Sequence, residues 1–183
     1  MGTWEHYYAA VGDTPDRLVE RALSEYDGPR EAALDMGAGN LRNAKLLRRV
    51  GFKRVVAVDP EGLPGPEDIE FCQNTAQGYA VPPTTFDVVL CNNVCMYIPV
   101  EEIPATIDKM YAGLKKHGIL IIDFLGSDDE WVKTGLRYGL TQEQFSTILD
   151  PYECEGTHQR GNRRTALGRE KFWDKYNFVI TKT

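Results

Sequence analysis

The sequence has little of what binds metals, crosses membranes or grips nucleic acid. It holds only three histidines, His6, His117 and His158, and they are far apart. No metal-ligand spacing results. Its four cysteines, Cys72, Cys91, Cys95 and Cys154, form no C-x-x-C pair. Three lie in apolar, strand-like runs and read as reduced, mostly buried thiols of a cytoplasmic protein. No run of 18 apolar residues occurs, which excludes a helical membrane span. The opening Met1-Gly2-Thr3-Trp4-Glu5-His6 does not read as a signal peptide. His6 stands where a myristoylation motif needs Ser or Thr. Positive charge is scarce: 21 Lys and Arg face 27 Asp and Glu, for a net charge of −6, with a pI near 5.1. A phosphate backbone needs a basic surface, so a nucleic-acid partner is disfavoured. Internal repeats and low-complexity tracts are absent.

What is present suits one domain over residues 1–183. Hydrophobic residues make up 42% and aromatics 10%, enough to fill a core in a chain that buries roughly 70% of its unfolded surface. The organising stretch is Ala33-Leu34-Asp35-Met36-Gly37-Ala38-Gly39-Asn40. An apolar strand ends at an acid, two glycines follow, and residues 40–50 read as a helix whose apolar side is Leu46, Leu47 and Val50, with Gly51 as its cap. Glycine tolerates positive φ and lets a ligand approach the backbone, and the helix start offers unpaired N–H groups. A dinucleotide site would need a third glycine at position 42, which is Arg. Asp35 would repel a pyrophosphate but suits a cofactor with an ammonium group. The second signal is the strand Arg54-Val55-Val56-Ala57-Val58, which stops at Asp59, 20 residues past Gly39. An acid there can accept from both hydroxyls of a ribose.

The rest of the chain follows in alternation. Trp4, Tyr7 and Tyr8 cluster in an N-terminal segment, residues 1–27, that either packs over the domain or forms a lid. Asp13-Thr14-Pro15 opens a helix that Asp27-Gly28-Pro29 ends. Residues 60–68 are too rich in Pro and Gly for a helix. Strands are expected at Ile69–Gln73, Phe86–Cys91 and Gly118–Phe124, with a helix from about Glu101 to Lys116. Ser127 to Glu130 and Thr141 to Gln144 read as capping boxes of two more helices, and Leu140 can staple to Phe145. Tyr152–Arg160 and Phe172–Thr181 are the last strands, joined by Gly161–Arg169. The expected fold is α/β: a doubly wound, mostly parallel sheet of seven strands.

The Asp35-x-Gly37-x-Gly39 run with Asp59 resembles the class I S-adenosylmethionine (SAM) methyltransferases, over nearly the whole chain. Gly39-Asn40-Leu41-Arg42-Asn43, the run Val94-Cys95-Met96-Tyr97-Ile98 and the turn Gly161-Asn162-Arg163 are similar to the compact tellurite-resistance methyltransferases. The resemblance implies a closing C-terminal antiparallel strand pair, strand order 3-2-1-4-5-7-6 and SAM as cofactor. It places Asp35, Gly37, Ala38, Gly39, Asn40, Asp59 and Pro60 around the cofactor. Asn74, Thr75 and Ala76 would meet the adenine, where the family often has Asp. Asn92 and Asn93 would face the methionine end.

The implied reaction is methyl transfer by in-line displacement to a small-molecule acceptor. His158 and Tyr97 are the candidate catalytic side chains, and Tyr7, Trp131 and Arg160 are candidates for substrate contact. The segment from His158 to Lys171 carries Arg160, Arg163, Arg164 and Arg169 against Glu170, which suits an anionic or polarisable acceptor. A protein or peptide acceptor, or a non-catalytic SAM-binding partner protein, are the alternatives. A DNA base methyltransferase is disfavoured because Asn92-Asn93-Val94 replaces its Asn/Asp-Pro-Pro-aromatic run.

Overall fold

The computed structural model describes residues 3–61 and 65–183. Residues 1–2 and 62–64 lie outside it, and with them the start of the N-terminal segment and the middle of the 60–68 loop. Two helices, α1 (Thr3–Val11) and α2 (Arg17–Glu25), precede β1 (Ala32–Met36), α3 (Arg42–Arg49), β2 (Arg54–Asp59), β3 (Glu70–Gln73) and β4 (Phe86–Cys91). Then come α4 (Ile103–Gly113), β5 (Leu114–Leu125), α5 (Glu130–Lys133), α6 (Gln142–Leu149), β6 (Glu153–Arg164) and β7 (Glu170–Thr181). The sheet order is β3-β2-β1-β4-β5-β7-β6. The first five strands are parallel, and β7 runs antiparallel to both β5 and β6.

β1 and β4 are buried at every position, the condition of strands covered on both faces. On one face Ala33, Val55, Val88, Leu90 and Ile121 pack against Val19 and Leu23 of α2 and Leu47 of α3. On the other, Leu34, Val89, Leu120 and Ile122 pack against Ile107 and Met110 of α4 and Phe145 of α6. At the end of the sheet away from the glycine turn, buried Asp87 accepts from the backbone N–H groups of Glu31 and Ala32 at 2.9 and 2.8 Å and pairs with Lys115 at 3.0 Å. That clamp fixes where β1 begins against β4 and β5.

Several element ends differ from the sequence expectation. The cap of α2 is Asp16, whose carboxylate accepts from Leu18 N at 2.9 Å, while Asp13 pairs with Lys45 at 2.6 Å. Helix α4 stops at Gly113 rather than Lys116, where the chain turns extended at Leu114, and a Cβ on Gly113 would overlap Val81. β5 therefore starts at Leu114. A bulge accommodates the change: Phe86 pairs Leu114, but Val88 pairs Ile119, and His117 takes φ 63°. Asp129, not Ser127, caps α5, through Trp131 N at 3.0 Å. The final hairpin is longer than its composition suggests. Strand pairing runs out to Arg164 and Glu170, and only residues 165–169 form the turn. Charged side chains tolerate an exposed strand pair, and polarity alone reads as loop. The Thr141–Gln144 capping box forms as expected.

Candidate active site

Strand β1 delivers the chain to Gly37 and Gly39 at φ 75° and 52°. The N–H groups of Gly37 and Ala38 donate to Val58 O at 2.7 and 3.0 Å, which pins the turn to the end of β2. A Cβ on Gly37 would overlap Val94, and one on Gly39 would come within 3.0 Å of the Tyr8 ring. The turn is thus roofed by Val94 from the β4 loop and Tyr8 from α1. Asn40 donates to Gly12 O at 2.7 Å, tying the turn to the end of α1. Leu41, in the left-handed region at φ 66°, redirects the chain into α3.

Two acids flank the turn. Asp59 accepts from Gly39 N and Glu61 N, each at 2.9 Å and each on a different oxygen. Each oxygen retains a lone pair for a further donor. Asp35 is only 2% exposed, and its Oδ2 has no hydrogen-bond partner. Burial pushes its pKa up to about 7, against the lowering effect of the Ala44 backbone N–H. A buried carboxylate oxygen without a donor is costly, and a cationic ligand group would supply the missing one. The positive-φ glycines, the orphan Asp35 oxygen and the half-used Asp59 carboxylate together fit a nucleoside cofactor with an ammonium group. Pro60 O is taken by Gln73 at 3.0 Å. Asn74 Oδ1 accepts from Thr75 N at 2.8 Å, Thr75 Oγ1 from Gly78 N at 2.9 Å, and Ala76 is buried beside them.

Beyond β4 the chain builds a polar network from distant segments. Asp123, 1% exposed, accepts from Asn92 Nδ2 at 3.1 Å, from Asn93 N at 2.7 Å and from the ammonium of Lys175. Lys175 also donates to Asn93 Oδ1 at 2.8 Å, and Asn93 Nδ2 reaches Asn92 Oδ1 at 2.8 Å. Asp16 N donates to Asn43 at 3.0 Å, and the Asp16 carboxylate lies 3.9 Å from Arg42. Burial pushes the Lys175 pKa down, but Asp123 and Asp16 overcome it and raise it, so the ammonium form persists. Asn93 sits at φ 59°, which is the backbone geometry that aims its N–H at Asp123.

Aromatic rings cover the turn. Trp4 stacks on Tyr8 at 5.9 Å and meets Tyr7 edge-on at 5.9 Å and Tyr97 at 5.7 Å. The Arg137 guanidinium lies 4.4 Å from the Tyr97 ring centroid. Burial, with Asp59 and Glu61 nearby, pushes the Tyr8 hydroxyl up to about 12, so it stays protonated near neutral pH.

Not every candidate joins this site. Strand register puts Asp35, Asp123 and Lys175 on the α2–α3 face of the sheet, and His158, Arg160, Asp174 and Tyr176 on the α4–α6 face. His158 Nε2 lies 2.6 Å from Asp174 and its ring stacks on Tyr176 at 4.0 Å. Arg160 pairs with Asp128. Trp131 packs with Trp173 at 5.1 Å, and both rings hold the ammonium of buried Lys171, which also pairs with Asp129. Trp131 is linked to the roof through Arg137, which lies 5.8 Å from the Trp131 ring and 4.4 Å from that of Tyr97. These groups fasten the hairpin to the α5 loop. Lys175 and Asp16 join the site although nothing in the sequence marks them. A lone lysine in an alternating strand and a helix cap carry no local signal of their own.

Comparison with known proteins now gives the chain its relatives. The model of the family described as "Methyltransferase domain" matches residues 4–182. No curated protein matches the sequence. Among solved structures, TehB from Haemophilus influenzae superposes at a TM-score of 0.73 with 16% identity, covering 98% of this chain and 67% of that one. A SAM-dependent methyltransferase from Methanosarcina mazei gives 0.67 with 13% identity over 88% and 96%. The 1,6-didemethyltoxoflavin-N1-methyltransferase of Burkholderia thailandensis, solved with S-adenosylhomocysteine (SAH), gives 0.67 with 18% identity over 91% and 78%. The glycine turn, its two flanking acids, the 3-2-1-4-5-7-6 sheet and the family match agree: the chain belongs to the methyltransferase-domain family and is a class I SAM-dependent methyltransferase.

Proposed function

We propose that the acceptor is a small molecule. The observation that carries this reading is the roof of Trp4, Tyr7, Tyr8 and Tyr97 over the glycine turn. A roof of rings leaves a narrow approach, where a protein segment would need an open groove. SAM, when bound, supplies an electrophilic methyl group on a sulfonium. The chain's part is to hold the two reactants in line, and such orientation can supply roughly 7–11 kcal/mol of the barrier.

The residue roles follow from chemistry. Asp59 accepts from the ribose hydroxyls, and Asp35 lies where an ammonium group completes its bonding. Gly37, Ala38, Gly39 and Asn40 present backbone to the cofactor. Asn74, Thr75 and Ala76, with Pro60 opposite, form the adenine side. Asn92 and Asn93 form the methionine side, oriented by Asp123 and Lys175. Tyr7 and Tyr97 face the acceptor from the roof. The acceptor's proton leaves to solvent or to a neighbouring acceptor group, and a dedicated base is unnecessary for a thiolate or a free amine.

Incubation of the protein with methyl-labelled SAM and whole-cell extract tests this. Label in the deproteinised, low-mass fraction is the expected result. Label retained on polypeptides would replace the small acceptor with a protein or peptide one.

A further inference from the structure

A cleft of about 390 Å³ runs between the start of α2 and the outer half of the β6–β7 hairpin, on the same sheet face as Asp35 and Asp123. Arg17 and Arg21 line it from α2, Arg163 from β6 and Lys175 from β7, against a single carboxylate, Asp16. That carboxylate is engaged already, by Leu18 N at 2.9 Å and by Arg42 at 3.9 Å. Lys175 is matched by Asp123. The guanidinium groups of Arg17, Arg21 and Arg163 meet no carboxylate among the described residues; this is true also of Arg30, Arg49, Arg137 and Arg164, but only these three line one cleft together.

This is a local inversion of charge in a chain of net charge −6. Arg17 and Arg21 stand four apart on α2, a like-charge spacing that costs a helix some stability. Arg163 adds a third cation across the cleft. Positive walls around a concave site focus the field and concentrate anions, and a guanidinium fork matches a carboxylate or phosphate in shape. The floor is polar too: Asn177, 4% exposed, lies 3.4 Å from the Thr157 hydroxyl. Lys175 closes the inner end and passes directly to Asn93 and Asp123, at the carboxyl ends of β4 and β5. A ligand in the cleft is thereby placed beside the edge where the cofactor's reactive end is assigned. The volume falls within the range of small-molecule sites, about 300–1,000 Å³.

We propose that this cleft takes the oxyanion of the methyl acceptor, so that the acceptor is a small carboxylate- or phosphate-bearing molecule. The inference rests on the small-acceptor reading above. Inorganic phosphate is the probe, titrated calorimetrically into the SAH-bound protein. Phosphate should bind the wild type, and the Arg21→Gln/Arg163→Gln double variant should bind it at least about tenfold more weakly, the loss expected for removed charge-assisted hydrogen bonds. SAH affinity should be unchanged in that variant, which separates this test from that of the cofactor site. Absence of phosphate binding in the wild type, or equal binding in the variant, overturns the proposal. In the labelled extract, the low-mass methylated product should be retained by an anion exchanger at neutral pH. Label in neutral or cationic small molecules, or tight binding of a single-stranded oligonucleotide to the same arginines, would also overturn it. Low-mass label of the wrong charge defeats only the anionic cleft, while label on protein defeats the small-acceptor reading itself.

Discussion

Asp35 holds a carboxyl group in the core with one oxygen unpaired and a pKa near 7. In the unfolded chain the same group titrates near about 3.9. The folded state therefore keeps its proton longer. The stability this gives is full below about pH 4 and is lost as pH rises through about 7, up to about 4 kcal/mol in all. Free Asp35→Asn protein should lack this loss, so that relative to wild type it gains stability between pH 5 and 8 in urea titrations. Its SAH affinity should fall and should lose the tightening that the wild type shows over the same pH range, because an ammonium group needs the charged carboxylate. Gly37→Ala makes a second residue-scale test. The new Cβ meets Val94 and the φ of 75° disfavours any side chain, so a loss of about 1–3 kcal/mol is expected. Adding Val94→Ala should recover the steric part only, leaving the backbone strain.

Helix α1 contributes no fully buried side chain among its described residues, yet Tyr8 packs on Gly39 and Trp4 on Tyr97. It is a cover and adds little to the core. Removing residues 1–11 should lower Tm by no more than about 2–4 °C, the effect of roughly 1 kcal/mol in a chain of this size. The same truncation should release SAH at least about tenfold faster in stopped-flow displacement. An unchanged off-rate would show that the helix merely packs on the domain. The β6–β7 hairpin is the opposite kind of element, long, paired throughout and anchored by the buried Lys171–Asp129 pair between Trp131 and Trp173. Lys171→Met leaves Asp129 buried without its cation and should cost about 3–5 kcal/mol by chemical denaturation.

At the scale of the molecule, the sheet separates two sets of candidate groups. His158 and Arg160 lie on the face opposite Lys175 and Asp123, with β5 and β7 between them and β4. His158→Ala and Arg160→Ala should therefore keep methyl transfer to the native acceptor within about threefold, less than the roughly 1 kcal/mol of a typical hydrogen bond. A turnover loss of a hundredfold in either, with SAH affinity intact, would bring the hairpin's α4–α6 face into the site. The Asn92–Asn93–Asp123–Lys175 network makes a further molecule-scale feature, since its members come from the loop after β4, from β5 and from the middle of β7, far apart in sequence.

The sequence by itself determined the glycine turn and its acids, because those depend on local backbone freedom and on apolar runs that read directly as buried parallel strands. It also determined the order of the elements and a doubly wound parallel sheet, since alternating strands and helices close in few ways; the strand order and the closing antiparallel pair were legible only through the family resemblance. The tertiary structure alone decided which face each hairpin residue takes. Side chains alternate with period two, a slip of one residue exchanges the faces, and Phe172 to Thr181 is bulky on both sides, so no pattern marked the inner one. It also decided that Asp16, Asn93 and Lys175 meet around Asp123. Contacts between groups 30 to 82 residues apart depend on strand registers set by the whole sheet, and no local stretch of this chain carries that information.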